Sequence, residues 1–177
     1  MKRNFSGFSL VELMVVVGII GILSAIAVPN FKKYQARAKT SEAKLQLSAI
    51  YTAEQSFKSD YDTFASCLQT MGYDPSSEAL QRYYATGFGV DSNQNNVAIT
   101  AGAATCSVTA TRAFAAGKKV GNSSAIASVS NVTSVAAVSA ATTFKAMAVG
   151  VILEGFATMD QWTIDETKKI NQIAQGY

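Results

Sequence analysis

The sequence predicts an α+β protein in which one long N-terminal α-helix, with a hydrophobic and protruding first half, packs against a β-rich globular head. An apolar run with a single charge occupies positions 8–28, and apolar residues then recur at helical spacing to about residue 59. Beyond it, short segments rich in aromatic and β-branched residues alternate with turn residues, as is typical of strands. The 177 residues, of which 49% are apolar and 15% charged, are sufficient for one packed core.

The composition excludes several classes of function. The chain has no histidine, which removes Ser-His-Asp and Cys-His catalytic arrangements and every histidine-bearing zinc site. No other catalytic constellation is apparent in the sequence, so we expect no enzymatic activity, no cofactor and no bound metal. A formal net charge of +3 is too small and too scattered to predict nucleic-acid binding.

The first element is a short polar leader, residues 1–7, which carries Lys2 and Arg3. The apolar run 8–28 follows it, and roughly 20 helical residues are enough to cross a bilayer. One alternative is a cleaved secretory signal with a cut site at residues 25–27, which would release a soluble secreted protein. The run is longer than the roughly 7 to 15 apolar residues of such signals, which disfavours this interpretation.

Glu12 is the one charged residue inside the apolar run. An acid in a membrane-spanning helix is costly and by default marks a functional site. Cleavage between Gly7 and Phe8 would create an α-amine four residues before Glu12, on the same helical face, and would supply the missing cation. The alternative is a plain single-span anchor in which Glu12 lies near the lipid headgroups, where its cost falls.

Gly7 followed by FSLVELMVVVGIIGILSAIAVPNF resembles the processing site and N-terminal helix of a type IV prepilin or a type II secretion pseudopilin, over about residues 1–60. The resemblance implies cleavage after Gly7 by a prepilin peptidase and N-methylation of Phe8. It also implies that Glu12 neutralises the amine of a neighbouring subunit during assembly. Gly21 and Pro29 correspond to the helix-loosening glycine and the first kink proline of that family.

The same resemblance implies an antiparallel β-sheet head and a structural role. The subunit would polymerise through its N-terminal helix into a homo-oligomeric helical filament, a type IV pilus or fimbrium, serving adhesion, twitching motility or contact with host or prey. The implied partners are the prepilin peptidase, an assembly platform protein and its ATPase. The implied location is the inner membrane before assembly and the extracellular pilus afterwards.

Three other functions stay open at this point. The chain could be the major pseudopilin of a type II secretion system or a minor pilin located at a filament tip. The sequence lacks the acidic, glycine-rich calcium loop near the C-terminus that such pseudopilins carry, which disfavours the first. A third possibility, from a different class, is a binding protein that is secreted or held by a single membrane span.

The charge distribution around the apolar run points to the opposite orientation. Four basic residues, Lys32, Lys33, Arg37 and Lys39, follow the run before any acid, against two in the leader. By the positive-inside rule this asymmetry would place the body in the cytoplasm. The family resemblance places it outside, and we follow the resemblance.

The second part of the helix, residues 29–59, is amphipathic. Its apolar positions recur every three or four residues and predict a face that packs on the head. These positions are Ala36, Ala43, Leu47, Ile50, Phe57 and Tyr61. Charged residues occupy the positions between them.

The head is expected over residues 60–177. An irregular connector is predicted for 60–77, followed by strands at 82–90, 97–100, 106–114, 144–153 and 161–164 and then by a polar tail. Residues 117–143 are low in complexity and receive no assignment. Tyr83, Tyr84 and Phe88 are interpreted as core packing.

Two further predictions concern the head. The only two cysteines, Cys67 and Cys106, are expected to form a disulfide because the resemblance implies export. Asp160, Asp165 and Glu166 near Trp162 could suggest a calcium site, but no dense loop of oxygen ligands is present. We interpret them instead as solvated charges that flank an edge strand carrying one core aromatic residue.

Overall fold

A computed structural model describes residues 7–65, 67–69, 71–89, 113–120, 126–132, 138–139, 142–155 and 158–177. The chain divides into two compact units, Met1–Gln35 and Ala36–Tyr177, called here the N-terminal unit and the C-terminal unit. The predicted α+β class is confirmed, since a long N-terminal helix and an antiparallel sheet make up the described structure.

The helix α1 comprises Leu10–Tyr61 and contributes residues to both units. Its start lies two residues later than predicted because Ser9 acts as the cap, and its end lies two residues beyond Ser59. The chain leaves the helix at Asp62, which has a φ of 55° and whose N–H donates to the carbonyl of Lys58 at 2.9 Å. A left-handed residue that closes the last helical turn in this way is a common helix terminus.

A buried stripe runs along α1 from residue 36 onward. It contains the predicted Ala36, Ala43, Leu47, Ile50 and Phe57, and in addition Thr40 and Glu54. Because these seven residues follow one another at steps of three or four, they share one face of the helix, and this face packs on the sheet. Burial of each large apolar side chain contributes about 1.5–3 kcal/mol to the stability of the fold. The assignment of Tyr61 to this face is wrong, because its side chain is 48% exposed at the helix end and stacks on Phe57.

The sheet is antiparallel and lies wholly in the C-terminal unit. Its strands are β1 (Tyr84–Gly87), β2 (Ala113–Phe114), β3 (Val138–Ser139), β4 (Thr143–Gly150), β5 (Asp160–Asp165) and β6 (Ile170–Ala174). The order across the sheet is β2-β1-β4-β5-β6, and β3 pairs with the first residues of β4. The longest strand, β4, therefore lies in the middle of the sheet.

Alternate residues of the sheet face two different layers. Ala146 and Ala148 of β4 join the cluster formed with the buried stripe of α1, whereas Met147 and Val149 join a second cluster. That second cluster contains Val132 of a short helix, α2 (Val129–Val132). The sheet is thus covered on both faces, and the two-residue period of side-chain direction assigns each residue to its layer.

The predicted strands agree with the structure within a few residues where both are described. The prediction for 82–90 corresponds to β1, that for 144–153 to β4 and that for 161–164 to β5. Of the prediction for 106–114, the structure describes only 113–114, which form β2. The strand predicted at 97–100 lies outside the described residues.

The predicted polar tail contains a strand that the prediction missed, because Ile170–Ala174 form β6 and pair with β5. The reversal is made at Lys168, which has a φ of 64°, and the carboxylate of Asp165 accepts the N–H groups of Thr167 and Lys169. An edge strand satisfies its ladder through the backbone and can carry polar side chains on its exposed positions. Its sequence therefore lacks the apolar alternation on which the strand assignments depended.

The connector is irregular, as predicted, and then forms a 3-10 helix at Ser76–Gln81 before β1. Tyr84 and Phe88 are buried and Tyr83 is half-buried, which confirms the core interpretation for the first two. Within the unassigned segment 117–143, the described structure comprises α2, β3, the first residue of β4 and irregular backbone.

Candidate functional site

The start of α1 has the geometry of a capped helix N-terminus. Glu12 donates its N–H to Oγ of Ser9 at 3.5 Å, and Leu13 donates its N–H to the carbonyl of Ser9 at 3.2 Å. A serine at this position satisfies backbone N–H groups that have no partner within the helix. Serine with a glutamate three residues later is the pattern of a capping box. The local sequence therefore fixes where α1 begins.

The proposed processing site lies just before this cap and is accessible. Gly7 is exposed, and Phe8 is 79% exposed. Both precede the first helical residue, so Phe8 and Glu12 do not occupy successive turns of one helix as the spacing argument assumed. In this chain the Phe8 nitrogen is also still bonded to Gly7, so it carries no charge. An amine on Phe8 would arise only after cleavage.

Glu12 lies in the first turn of α1 and is exposed. The free N–H groups of the first turn carry partial positive charge, which stabilises a carboxylate at this end. Apolar side chains surround it in sequence on both sides. The structure therefore places one exposed acidic group near the start of the apolar first part of α1, where a partner could reach it.

The N-terminal unit exposes an extensive apolar surface. Every residue from 7 to 35 is exposed, and the most apolar stretch of 18 residues has a mean hydropathy of 2.6 with none of it buried. The large apolar side chains between residues 10 and 28, each at least 44% exposed, are Leu10, Val11, Leu13, Met14, Val15, Val16, Val17, Ile19, Ile20, Ile22, Leu23, Ile26 and Val28. By length and composition the helix could cross a membrane. Such a surface needs lipid or protein to cover it.

Gly21 and Pro29 both lie inside α1. A Cβ at Gly18 or Gly21 would meet no atom within 4 Å, so neither glycine is required by packing within this chain. Pro29 has no N–H, which leaves the carbonyl of Ala25 without its usual helical partner, yet the helix continues for 32 residues beyond it. These residues weaken the helix locally without ending it.

In the C-terminal unit, a buried polar network joins α1 to β1. Oε1 of Glu42 accepts the N–H groups of Tyr83 and Tyr84 at 2.8 and 3.2 Å, and burial raises the pKa of this carboxyl. Nη2 of Arg82 donates to Oγ1 of Thr86 at 2.6 Å and to Oε1 of Gln46 at 3.1 Å. These hydrogen bonds fix the position of β1 along α1. Sequence patterning did not identify this network.

Glu54 is completely buried on the stripe of α1. Its Oε2 accepts the N–H of Ala65 at 2.9 Å, whereas its Oε1 has no hydrogen-bond partner. Burial raises the pKa of this carboxyl to about 8. Two residues beyond Ala65, Cys67 is buried and disulfide-bonded. Cys106, its predicted partner, lies outside the described residues.

Asp160 corrects the interpretation of the acidic residues near Trp162. It is completely buried at the start of β5, and Oδ2 accepts the hydroxyl of Tyr84 at 2.6 Å and the indole N–H of Trp162. Its Oδ1 accepts from Gln172 at 2.8 Å and from the N–H of Gly176 at 3.2 Å. Asp160 is therefore not solvated, and β5 lies between β4 and β6 and is not an edge strand.

The described residues contain no group of three His, Cys, Asp or Glu side chains placed to hold a metal ion. Asp160 and Asp165, the acids near Trp162, also have different hydrogen-bond partners. Asp165 and its neighbours cap the turn into β6, whereas the oxygens of Asp160 are occupied by donors from three segments of the chain.

Comparison with known proteins identifies the N-terminal segment. Residues 2–28 match the family described as the prokaryotic N-terminal methylation motif. The chain is 56% identical over 69 residues to the type IV major pilin protein PilA of Myxococcus xanthus, across 39% of this chain and 31% of that protein. It is 47% identical over 53 residues to the type IV major fimbrial protein FimA of Dichelobacter nodosus, across 30% of this chain and 34% of the relative.

A fimbrial protein of Neisseria meningitidis serogroup B is 36% identical over 77 residues, across 44% of this chain and 45% of its own length. The chain thus covers less than half of each of these relatives. The methylation-motif match includes Gly7, Phe8, Glu12 and Gly21, four of the residues singled out from the sequence.

Proposed function

We propose that this chain, whose predicted resemblance to type IV pilins is confirmed by the N-terminal match, is a structural subunit of a type IV pilus. The observation that carries the proposal is the fully exposed apolar helix surface with one acid near its capped end. Copies of the same helix can cover this surface in a filament core, and a polymer of identical subunits needs no other partner for it.

The processing step prepares that assembly. A prepilin peptidase would cut the accessible bond between Gly7 and Phe8, and methylation would follow on the Phe8 nitrogen. The resulting cationic terminus of one subunit would pair with Glu12 of a neighbour, which provides a charge-assisted contact inside an apolar core. Lipid and filament core are both apolar environments, so burial alone gives little net driving force. Packing, this ion pair and an energised assembly machine with a platform protein and an ATPase would supply the remainder.

Before assembly the subunit would reside in the inner membrane through residues 8–28, and afterwards in the extracellular filament. Gly21 and Pro29 would allow local loosening of α1 as it leaves one environment for the other. We assign the chain a structural and not a catalytic role. Adhesion and motility are functions that such filaments could provide.

Replacing Glu12 tests this proposal directly. Glu12→Ala is expected to leave export and leader cleavage intact and to abolish or strongly reduce surface filaments, because the cationic terminus would enter the core without a counter-charge. The measurements are an immunoblot for the processed chain and electron microscopy of the cells. Glu78→Ala, which removes an exposed acid from the C-terminal unit, is the matched control and should form normal filaments. Normal filaments from Glu12→Ala would contradict the proposed pairing.

We also propose that Cys67 pairs with Cys106, which would close a span of 39 residues. In the chain-entropy model a bridge of this length stabilises the fold by about 4 kcal/mol. Peptide mapping of the exported protein under non-reducing conditions should yield one peptide pair that contains both cysteines. Two free thiols in the exported protein would contradict the bridge.

A further inference from the structure

Two lysines and two aromatic residues lie one turn beyond the apolar run of α1. Phe31 and Tyr34 are 63% and 66% exposed, and Lys32 and Lys33 between them are exposed as well. All four belong to the N-terminal unit. Aromatic residues and lysines immediately after an apolar span are typical of the level at which lipid headgroups meet water.

The helical rise fixes the depth of these residues if residues 8–28 span the membrane. The 19 helical residues from Leu10 to Val28 measure about 28 Å, close to the thickness of the hydrocarbon core. Lys32 lies four residues, or about 6 Å, beyond Val28. Both lysines are therefore placed at the phosphate level of one leaflet, and their flexible side chains can reach it.

The helix gives these lysines no counter-charge of its own. Side chains three or four residues apart are neighbours on a helix, and no acid lies within that distance of Lys32 or Lys33. The nearest acids in sequence are Glu12 and Glu42, one at the far end of the apolar run and the other bonded to β1. Both lysines are therefore available to an anionic group from outside the N-terminal unit.

A surface groove lies beside the first of these lysines. Ala27, Val28, Phe31, Lys32 and Gln35 line it. Its apolar wall is suited to an acyl chain, and Lys32 is placed to meet the phosphate at the head of that chain. The apolar wall and the adjacent lysine are therefore arranged to match the acyl chain and the charged phosphate of an anionic phospholipid.

We propose that Lys32 and Lys33, flanked by Phe31 and Tyr34, bind the headgroups of anionic membrane phospholipids and hold the unassembled subunit at a fixed depth. The inference rests on the proposed function, because it requires residues 8–28 to reside in a membrane before assembly. It also accounts for the positive charge on this side of the span, where the positive-inside rule would not place it. Transfer into a filament would then require release of these lipids.

Lipid preference of the full-length chain tests the proposal. The chain is reconstituted in nanodiscs that contain equal amounts of phosphatidylglycerol and phosphatidylcholine, and the lipids that remain bound are counted by native mass spectrometry. Wild type should retain phosphatidylglycerol preferentially. Lys32→Gln with Lys33→Gln should lower that preference by about fivefold per lysine. Lys32→Arg with Lys33→Arg keeps the charge and should retain it.

The matched control is Lys119→Gln with Lys169→Gln, which removes the same charge from two exposed positions of the C-terminal unit. An unchanged preference in this control, with a loss in the first double variant, supports the site. Equal losses in both variants, or no anionic preference in wild type, overturn it. If wild type shows no anionic preference but still forms filaments, the lipid site is wrong and the pilus proposal stands. If wild type retains phosphatidylglycerol but forms no filaments, the lipid site stands and the pilus proposal is wrong.

Discussion

Glu54 is the residue whose chemistry is most at odds with its position. It occupies the buried stripe of α1 between Ile50 and Phe57, where an apolar side chain would be expected. One of its oxygens satisfies the N–H of Ala65, which would otherwise be a buried donor without a partner. The other oxygen has no partner, so the ionised form is poorly solvated and the neutral form is favoured. The hydrogen bond from Ala65 alone favours the ionised carboxyl, but the cost of burying a charge outweighs it, so the fold is most stable with Glu54 protonated.

Glu54 should make the stability of the C-terminal unit fall as the pH rises. Its pKa is raised from 4.5 to about 8, so the folded chain holds a proton that the unfolded chain has released in this range. The stabilisation is complete below pH 4.5 and is lost as pH rises through about 8, at a slope of up to about 1.4 kcal/mol per pH unit. Denaturation of the detergent-solubilised chain at pH 5 and pH 8 measures the effect.

Glu54→Gln should reduce the stability difference between the two pH values. Glu42, whose pKa burial also raises, acts in the same direction and remains in both proteins, so some slope will persist. Glu78→Gln, at an exposed position, is the control and should leave the slope unchanged. Identical slopes for wild type and Glu54→Gln would contradict the assignment.

Individual acids could be identified from the sequence where neighbouring residues make them unusual. They could not be identified where their burial depends on residues distant in the sequence. Glu12 could be identified because an acid within an uninterrupted apolar run has no ordinary explanation. Glu54 and Asp160 gave no such signal, since an acid among polar residues such as Thr, Ser and Gln is normally solvated. Their burial follows from donors that the fold brings to them, the Ala65 N–H in one case and the Tyr84 hydroxyl in the other.

At the scale of elements, β5 depends on Asp160. The carboxylate joins β5 to Tyr84 of β1, to Gln172 of β6 and to the N–H of Gly176 near the C-terminus. Gly176 is required there, because a Cβ would lie 2.6 Å from the Asp160 nitrogen. The last two strands and the end of the chain are thus held by one buried carboxyl group, both of whose oxygens accept hydrogen bonds.

Asp160→Ala should destabilise the chain by at least about 3 kcal/mol, because it leaves several buried donors without a partner. Asp165→Ala is the matched control at the other end of the same strand. Asp165 caps only the turn to β6, and its loss should cost about 1 kcal/mol. Urea denaturation of both variants gives the two values. Equal costs would show that the buried network contributes no more than an ordinary turn cap.

Elements with a strong apolar period were predictable, and those held by backbone pairing were not. The stripe of α1 recurs every three or four residues, and β4 is a nearly continuous apolar run buried on both faces; both patterns are visible in the sequence. β6 exposes Asn171, Gln172 and Ile173 and shows no apolar alternation, and its pairing is set by the turn at Lys168. The segments without an apolar period, such as α2, are likewise fixed by contacts from other elements.

At the scale of the whole molecule, the two units differ in what surrounds them. The C-terminal unit has its own core on both faces of a sheet, whereas the N-terminal unit buries none of its described side chains. Deletion of residues 1–35 should therefore yield a soluble monomer that retains the sheet, while the full chain sediments with membranes. Circular dichroism and gel filtration test the first expectation, and membrane flotation tests the second. An unfolded or aggregated fragment would contradict the independence of the C-terminal core.

The proposed filament assembly depends on conversion of Phe8 into the first residue of the subunit. The most direct measurement is the intact mass and N-terminal fragment spectrum of protein from filaments sheared off the cell surface. We expect the chain to begin at Phe8, with one added methyl group on its nitrogen. Filaments that contain the chain with residues 1–7 still attached, or surface filaments from which the chain is missing, would contradict the account.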